Sequence, residues 1–462
     1  MFKKCMGGFS PSLVLGLGFI PWILSGCASY EAKPIALKSV LSDLEGVSIS
    51  DALFARKGSK KRALGVRDAA LFALRNNPGL KAFRAQLHVA RLGVDAAGLF
   101  SDLEIGWDAM DVIAVENTGG KAKAEQFLSG LGLSFQLPRP GELGAQKDFA
   151  KAKQEEAAQT LLQAEWFLAE KVSIAWLRVK QMEAALQFQK EALENAKRLA
   201  SFFVEAKSIG AATSMEESLA LVEQAKIQAV LVRQKGEEER ARRDLNLLLG
   251  ISPDSRIPLA DVPKDLWVEE KGEMSQLIQK ALELRPDLWR LMARYQQAEE
   301  SVRLEIARQW PGIWIGTGLT FSLPLFRGFN GPQIEVARAI REKRKEDLVF
   351  AVHRVRGEIA EALASKKLAN QVWDVLKTKL LPAADRNLMV LKQAFDSGRV
   401  TLLETLIGQR QIIDSKLQEL DARIARLRSS LQLGFACGNL PLGLKLDRES
   451  RLENKNVLEG GK

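Results

Sequence analysis

The chain has 462 residues, of which 46% are apolar, and its 67 Lys and Arg residues exceed its 57 Asp and Glu residues to give a net charge of +10. The charges are interspersed along the sequence and form no basic tract, which argues against nucleic-acid binding. With two histidines and three cysteines, the chain shows no Ser/His/Asp, Cys/His or Cys-x-x-Cys grouping. We therefore expect no catalytic site, no metal and no cofactor.

The N-terminus has the features of an export signal over residues 1–26. Lys3 and Lys4 supply positive charge, and the apolar stretch 12–23 is too short for a comfortable membrane-spanning helix. Leu-Ser-Gly-Cys at 24–27 resembles the lipobox of bacterial lipoproteins. This would make Cys27 the lipidated first residue of the mature chain. An ordinary cleaved signal followed by a chance cysteine is the alternative.

The mature sequence contains an internal repeat. Asn77-Pro78-Gly79-Leu80 recurs 208 positions later as Arg285-Pro286-Asp287-Leu288, and each is followed by apolar residues at the 3,4 spacing of a helix seam. Gly210-Ala211-Ala212-Thr213 recurs 188 positions later as Gly398-Arg399-Val400-Thr401. We therefore predict a linker at 27–62, a first repeat at 63–250, a second linker at 251–272, a second repeat at 273–437 and a polar tail at 438–462.

Each repeat is predicted to contain a helix, strands, a Pro/Gly corner, a very long helix and a final antiparallel helix. The long helices are expected at 144–207 and 333–396, each roughly 90 to 100 Å in length. Pro382 should bend or interrupt the second one. Such long amphipathic helices cannot bury their faces in one compact core, so they need an elongated bundle or partner chains.

The strands alternate apolar residues with small or polar ones. Leu133, Phe135 and Leu137 alternate with Ser134 and Gln136, as in a barrel strand between lipid and water, although a buried sandwich strand would look the same. In the second repeat the strand material lies between Pro311 and Phe326. Since a membrane-crossing strand takes about 9 to 11 residues, we expect a shortened second hairpin.

Several stretches carry a family resemblance: NNPGLKAFRAQLHVARLGVDAA, RPDLWRLMARYQQAEESVRLEIARQWPGI, LTFSLPLFRGFNGPQIEVARA and AFDSGRVTLLETLIGQRQ. In this order and spacing they resemble the two repeats of a TolC-like outer membrane efflux protein of the lipoprotein type, over about 63 to 435. The resemblance implies a mainly α fold with a small β part. Two tandem helix-strand-strand-helix repeats would give long antiparallel coiled-coil helices, a periplasmic α-barrel and an outer-membrane β-barrel shared by a homotrimer.

The same resemblance implies a function. The trimer would be a passive duct, anchored in outer-membrane lipid and extending into the periplasm, that connects through a periplasmic adaptor protein to an inner-membrane pump. Drugs, metals, other small molecules and proteins all remain possible substrates. A structural coiled-coil lipoprotein that tethers envelope layers is the competing hypothesis, to which the short second hairpin lends weight.

Particular residues follow from the resemblance. Gly210 and Thr213, with Gly398 and Thr401, match the turns that form the periplasmic tip and meet the adaptor. Glu404 matches a position where carboxylates ring the closed entrance, and three copies about a threefold axis would attract cations and repel one another. The alternative is that Glu404 is a solvated acid on a helix face.

Overall fold

The structure, a computed structural model, describes residues 30–46, 63–107, 131–262, 272–316, 319–323, 325–397 and 400–440. The chain forms two units, Met1–Val47 and Ser48–Lys462. The described part of the first unit contains a single helix, α1 (Leu37–Glu45), and no residue of this helix is buried. All other described elements belong to the second unit.

The first half of the second unit contains the first predicted long helix. Its described elements are α2 (Val66–Asn76), α3 (Pro78–Asp95), β1 (Glu104–Trp107), β2 (Leu131–Leu137), α4 (Glu142–Ser208) and α5 (Ser214–Leu249). α4 has 67 residues, so it is about 100 Å long at 1.5 Å per residue. The helix predicted at 144–207 is thereby confirmed.

The second half repeats this order of helices and strands. Its described elements are α6 (Met274–Leu284), α7 (Pro286–Ala307), β3 (Gly312–Gly316), β4 (Leu319–Ser322), a 3-10 segment (Leu325–Asn330), α8 (Gly331–Val375), a π-helical turn (Leu376–Leu380), α9 (Leu381–Asp396) and α10 (Leu402–Ala436). α8, the π turn and α9 follow one another without a gap. The helix predicted at 333–396 is therefore present.

The expected interruption near Pro382 takes the form of the π turn. Proline has no N–H to donate, and its ring collides with the carbonyl four residues earlier in a regular helix. The wider π turn directly before it relieves this collision. Val375 and Leu381, which flank the turn, both keep helical dihedral angles, so the rod is locally widened and does not break.

The four described strands form one antiparallel sheet in the order β1-β2-β3-β4. Residues paired across neighbouring strands share a face, and the pairs give the sheet one apolar face: Ile105, Leu133, Phe135, Leu137, Ile313, Ile315, Leu319 and Phe321. The opposite face carries Glu104, Gly106, Gly132, Ser134, Gln136, Gly312, Trp314, Gly316, Thr320 and Ser322. The predicted alternation is confirmed, and β3 and β4 have only 5 and 4 residues.

The helices pack lengthwise around α4, which contacts α2, α3, α5, α7 and α10. A cluster of buried side chains lies where α6, α7, α8 and α10 meet, and it includes Leu277, Leu288, Val355, Ile359 and Leu433. Among the described residues, no helix combines the length and apolarity needed to cross a bilayer. That part of the chain also holds no group of His, Cys, Asp and Glu residues suited to a metal ion.

In each half, the C-terminal end of the last helix packs against the first two helices of the same half, so α5 ends beside α2 and α3, and α10 ends beside α6 and α7. Gly250 has φ +76°, and a Cβ there would lie 2.9 Å from the Asn76 carbonyl oxygen. Gly438 has φ +84°, and a Cβ there would lie 2.8 Å from the Cβ of Leu284. Both positions therefore need glycine, for its left-handed backbone and for the close approach.

The side chain that donates a hydrogen bond across this junction differs between the halves. In the first, Asn77 Nδ2 donates to the Leu248 carbonyl at 2.9 Å. In the second, Arg285 Nη1 donates to the Ala436 carbonyl at 3.1 Å. Equivalent contacts are thus made by an amide in one half and by a guanidinium in the other.

Arg285 is the centre of a buried ionic cluster. Its side chain is 3% exposed, and it donates to both carboxylate oxygens of Asp287, at 3.0 and 2.8 Å. It also donates to Glu358 at 2.6 Å and lies 5.2 Å from the ring centroid of Trp166. Glu170 lines the adjoining cavity of about 410 Å³, and burial raises the pKa of its carboxyl above the ordinary value.

Candidate functional site

The first of the two turns predicted to form the tip lies between α4 and α5. One hydrogen-bond motif ends α4, and another begins α5. Gly210, at φ +75°, occupies the left-handed position after α4. Its amide donates to the Lys207 carbonyl at 3.0 Å, and the Ala211 amide donates to the Ala206 carbonyl at 2.7 Å. This is the hydrogen-bond pattern of a Schellman motif, which satisfies the last carbonyls of the helix.

Thr213 then starts α5 through a capping box. Its hydroxyl accepts from the Glu216 amide at 3.2 Å, and the Glu216 carboxylate accepts from the Thr213 amide at 2.8 Å. Two amides that a helix start leaves without partners are satisfied reciprocally in this way. Lys207 and Glu217 form an ion pair that links the ends of α4 and α5.

The second turn repeats the helix start. Thr401 accepts from the Glu404 amide at 3.3 Å, and the Glu404 carboxylate accepts from the Thr401 amide at 2.8 Å. Gly398, which was predicted as the counterpart of Gly210, lies outside the described residues, as does Cys27. The comparison of the two turns therefore extends over their helix starts.

Glu404 is exposed, and its carboxylate serves as a helix cap. Hydrogen bonds from the Thr401 amide and hydroxyl lower the pKa of Glu404, and those from Thr213 lower the pKa of Glu216 in the same way. Glu404 is therefore ionised and held at the start of α10. Sequence reasoning did not identify this capping role, although Thr-x-x-Glu occurs in both repeats and is a known signal for it.

The structure brings the two turns together through α4. Ala212 of the first turn and Leu406 of α10 both pack against a buried cluster that includes Leu199 and Phe203. Next to this cluster, and sharing Leu199 with it, α4, α9 and α10 line a cleft of about 470 Å³. Its wall includes Phe188, with Lys416 Nζ 5.9 Å from the ring centroid.

The fold and these paired turns define a class of protein: the chain is mainly helical and has the fold of TolC-like channels. Campylobacter jejuni CmeC, an outer membrane channel, matches with a TM-score of 0.68 and 16% identity over 92% of this chain and 97% of that one. Neisseria gonorrhoeae MtrE, also an outer membrane channel, matches with a TM-score of 0.66 and 19% identity over 83% of this chain and 90% of that one.

The sequence gives the family. Residues 72–251 and 277–439 match the family described as outer membrane efflux protein, and the chain belongs to this family. The probable efflux pump outer membrane protein SepC of Pseudomonas putida is 23% identical over 70% of this chain and 71% of its own length. The cobalt-zinc-cadmium resistance protein CzcC of Cupriavidus metallidurans is 24% identical over 46% of this chain and 53% of its own.

Family membership decides between the two functions considered from the sequence. The chain is an outer-membrane channel component of an efflux system, and the structural tether is not supported. The resemblance recognised in the sequence is confirmed. The tip, the entrance acid, the lipid anchor and the domain boundaries remain predictions.

Proposed function

We propose that this chain is the subunit of a homotrimeric, passive duct that joins a periplasmic adaptor protein to an inner-membrane pump. The observation that carries the proposal is the seam of α5. Met215, Leu219, Val222 and Val232, which have the spacing of a helix seam, are all exposed in the single chain. Burying them against helices of identical subunits would stabilise a ring of helices around a lumen.

The sheet supports a β-barrel built from strands of all three subunits. Its apolar face suits contact with lipid, and its polar face suits a water-filled interior. Because β3 and β4 are short, we infer that attachment to the outer membrane depends strongly on an acyl chain at Cys27. In a Cys27→Ala variant, loss of protein from washed outer membranes is the expected result, and full retention would contradict the anchoring role.

The repeats would occupy 63–250 and 273–437, with the signal, linkers and tail at the boundaries predicted from the sequence. The equivalent junctions at Gly250 and Gly438 support this division. Gly210, Thr213, Gly398 and Thr401 would lie at the periplasmic end, where the turns and the cleft beside Phe188 offer a surface to the adaptor. The protein would have no catalytic site.

The duct is tested with the purified mature protein and a strain that lacks its gene. We expect a trimer by native mass spectrometry in detergent, ion conductance in planar bilayers, and higher drug or metal susceptibility in the deletion strain. A well-folded monomer that conducts no ions would contradict the proposal.

The entrance role of Glu404 has a matched control within the chain. Glu216 makes the same capping contacts in the other repeat, so Glu404→Gln and Glu216→Gln change the helix caps equally. If three Glu404 carboxylates ring the entrance, Glu404→Gln should reduce cation selectivity in bilayers while Glu216→Gln leaves it unchanged. Equal effects of the two variants would show that Glu404 acts only as a cap.

A further inference from the structure

The polar face of the sheet carries one aromatic side chain among its described residues, that of Trp314. The register pairs Trp314 with Gln136 on β2 and with Thr320 on β4. The remaining described positions of this face are glycine, serine and Glu104. A large apolar ring in such a setting gains little from burial, because its neighbours are small and polar, so its position calls for another explanation.

The ring occupies a space that glycine leaves open. Gly312 lies two residues before Trp314 on the same face, and a Cβ at Gly312 would stand 2.7 and 2.8 Å from Cζ3 and Cη2 of the indole. The benzo ring therefore lies over Gly312. The Trp314 side chain remains only partly buried, which leaves ring surface available for contact.

A carboxylate lies on the same face. Glu104 is exposed on β1, and its Oε2 accepts a hydrogen bond from Ser134 Oγ at 3.1 Å. In the register, the row of Glu104, Ser134 and Gly316 is next to the row of Gln136, Trp314 and Thr320. An aromatic face and a negative charge on one polar surface suit a ligand that is both flat and cationic, through cation–π contact and stacking.

We propose that Trp314 and Glu104 form a binding site for aromatic organic cations on the inner wall of the duct. The site rests on the proposed function, which places the polar face of the sheet inside the trimer. Threefold symmetry then sets three indole rings at one height around the lumen. Cations are concentrated there by the Glu104 carboxylates and are retained briefly on the rings as they pass.

The test measures block of ion current by ethidium, an aromatic cation, with the full mature protein in planar bilayers. Trp314→Ala should raise the half-blocking concentration by about 5- to 30-fold, the effect of losing a partly desolvated cation–π contact. Trp314→Phe should retain most of the block. Gly312→Val keeps the indole but removes the space it occupies, so it should weaken the block as Trp314→Ala does.

Thr320→Ala is the matched control, because it removes the neighbouring side chain in the same row and keeps the indole, and its block should equal that of the wild type. If Trp314→Ala conducts normally and is blocked like the wild type, the site is overturned while the duct stands. If the wild-type protein forms no conducting pore, both proposals fail.

Discussion

Replacing Arg285 by alanine should destabilise the protein far more than the equivalent change in the first half. The side chains of Arg285 and Asp287 are 3% and 1% exposed and are joined by two hydrogen bonds. Removing the guanidinium leaves a carboxylate buried without its main partner. Breaking a buried ion pair in this way typically costs 3 to 5 kcal/mol.

Two features of the site adjust this expectation. Arg354 Nη2 lies 3.6 Å from Asp287 Oδ2 and can compensate part of the charge. The Ala436 carbonyl, however, loses a donor, which costs about 1 kcal/mol. We therefore expect a loss of about 3 to 5 kcal/mol in the free energy of unfolding for Arg285→Ala.

Asn77→Ala provides the comparison within the chain. Asn77 caps α3 by accepting from the amides of Gly79 and Leu80, and it donates to Leu248, but it holds no buried charge. Loss of the cap and of one hydrogen bond should lower the free energy of unfolding by about 1 to 2 kcal/mol. Urea unfolding in detergent, followed by circular dichroism, measures both variants.

The double variant Arg285→Ala/Asp287→Asn identifies the cause. If the stranded carboxylate is responsible, neutralising it should recover part of the lost stability. A double variant no more stable than Arg285→Ala would refute this reasoning, as would an Arg285→Ala variant within about 1 kcal/mol of the wild type.

Three further predictions use the same unfolding measurement or hydrogen exchange. Burial raises the pKa of Glu170, so ionisation destabilises the fold as the pH rises through that pKa; Glu170→Gln should be more stable than the wild type at neutral pH, and this difference should vanish in acid. Gly210→Ala should lower the free energy of unfolding by about 1 to 2 kcal/mol, because only its left-handed backbone is unfavourable and nothing lies within 4 Å of the new Cβ. Gly250→Ala should lower it further, because the new Cβ also meets the Asn76 carbonyl. Equal losses would contradict the packing argument. Pro382→Ala restores a helical N–H, so amide exchange in α9 should become slower, and unchanged exchange would show that the proline does not cause the π turn.

The features that the sequence predicted correctly depend on local periodicity. The rods follow from apolar spacing over tens of residues, and the two faces of the sheet follow from alternation in stretches such as Leu131–Leu137. In each case the required information lies within one element.

The features that the sequence did not predict depend on contacts between distant elements. Nothing in the local pattern around Arg285 indicates that Trp166 and Glu358 will enclose it, because these residues come from α4 and α8. The capping role of Glu404 is a different case, since its signal is local and visible in both repeats. It was missed because family resemblance supplied a functional role for the same carboxylate.

A comparison of the two halves shows which positions the helix geometry requires and which it leaves free to vary. Both end their last helix at a glycine with positive φ, and both start that helix with a Thr-x-x-Glu box. The junction with the first helix pair therefore constrains the glycines, and the turn before the last helix constrains the Thr-x-x-Glu boxes. The donor at the junction and the π turn differ between the halves, so the shared helix geometry does not dictate them. The second half holds the buried pair of Arg285 and Asp287, so substitutions there should have the largest effects on stability.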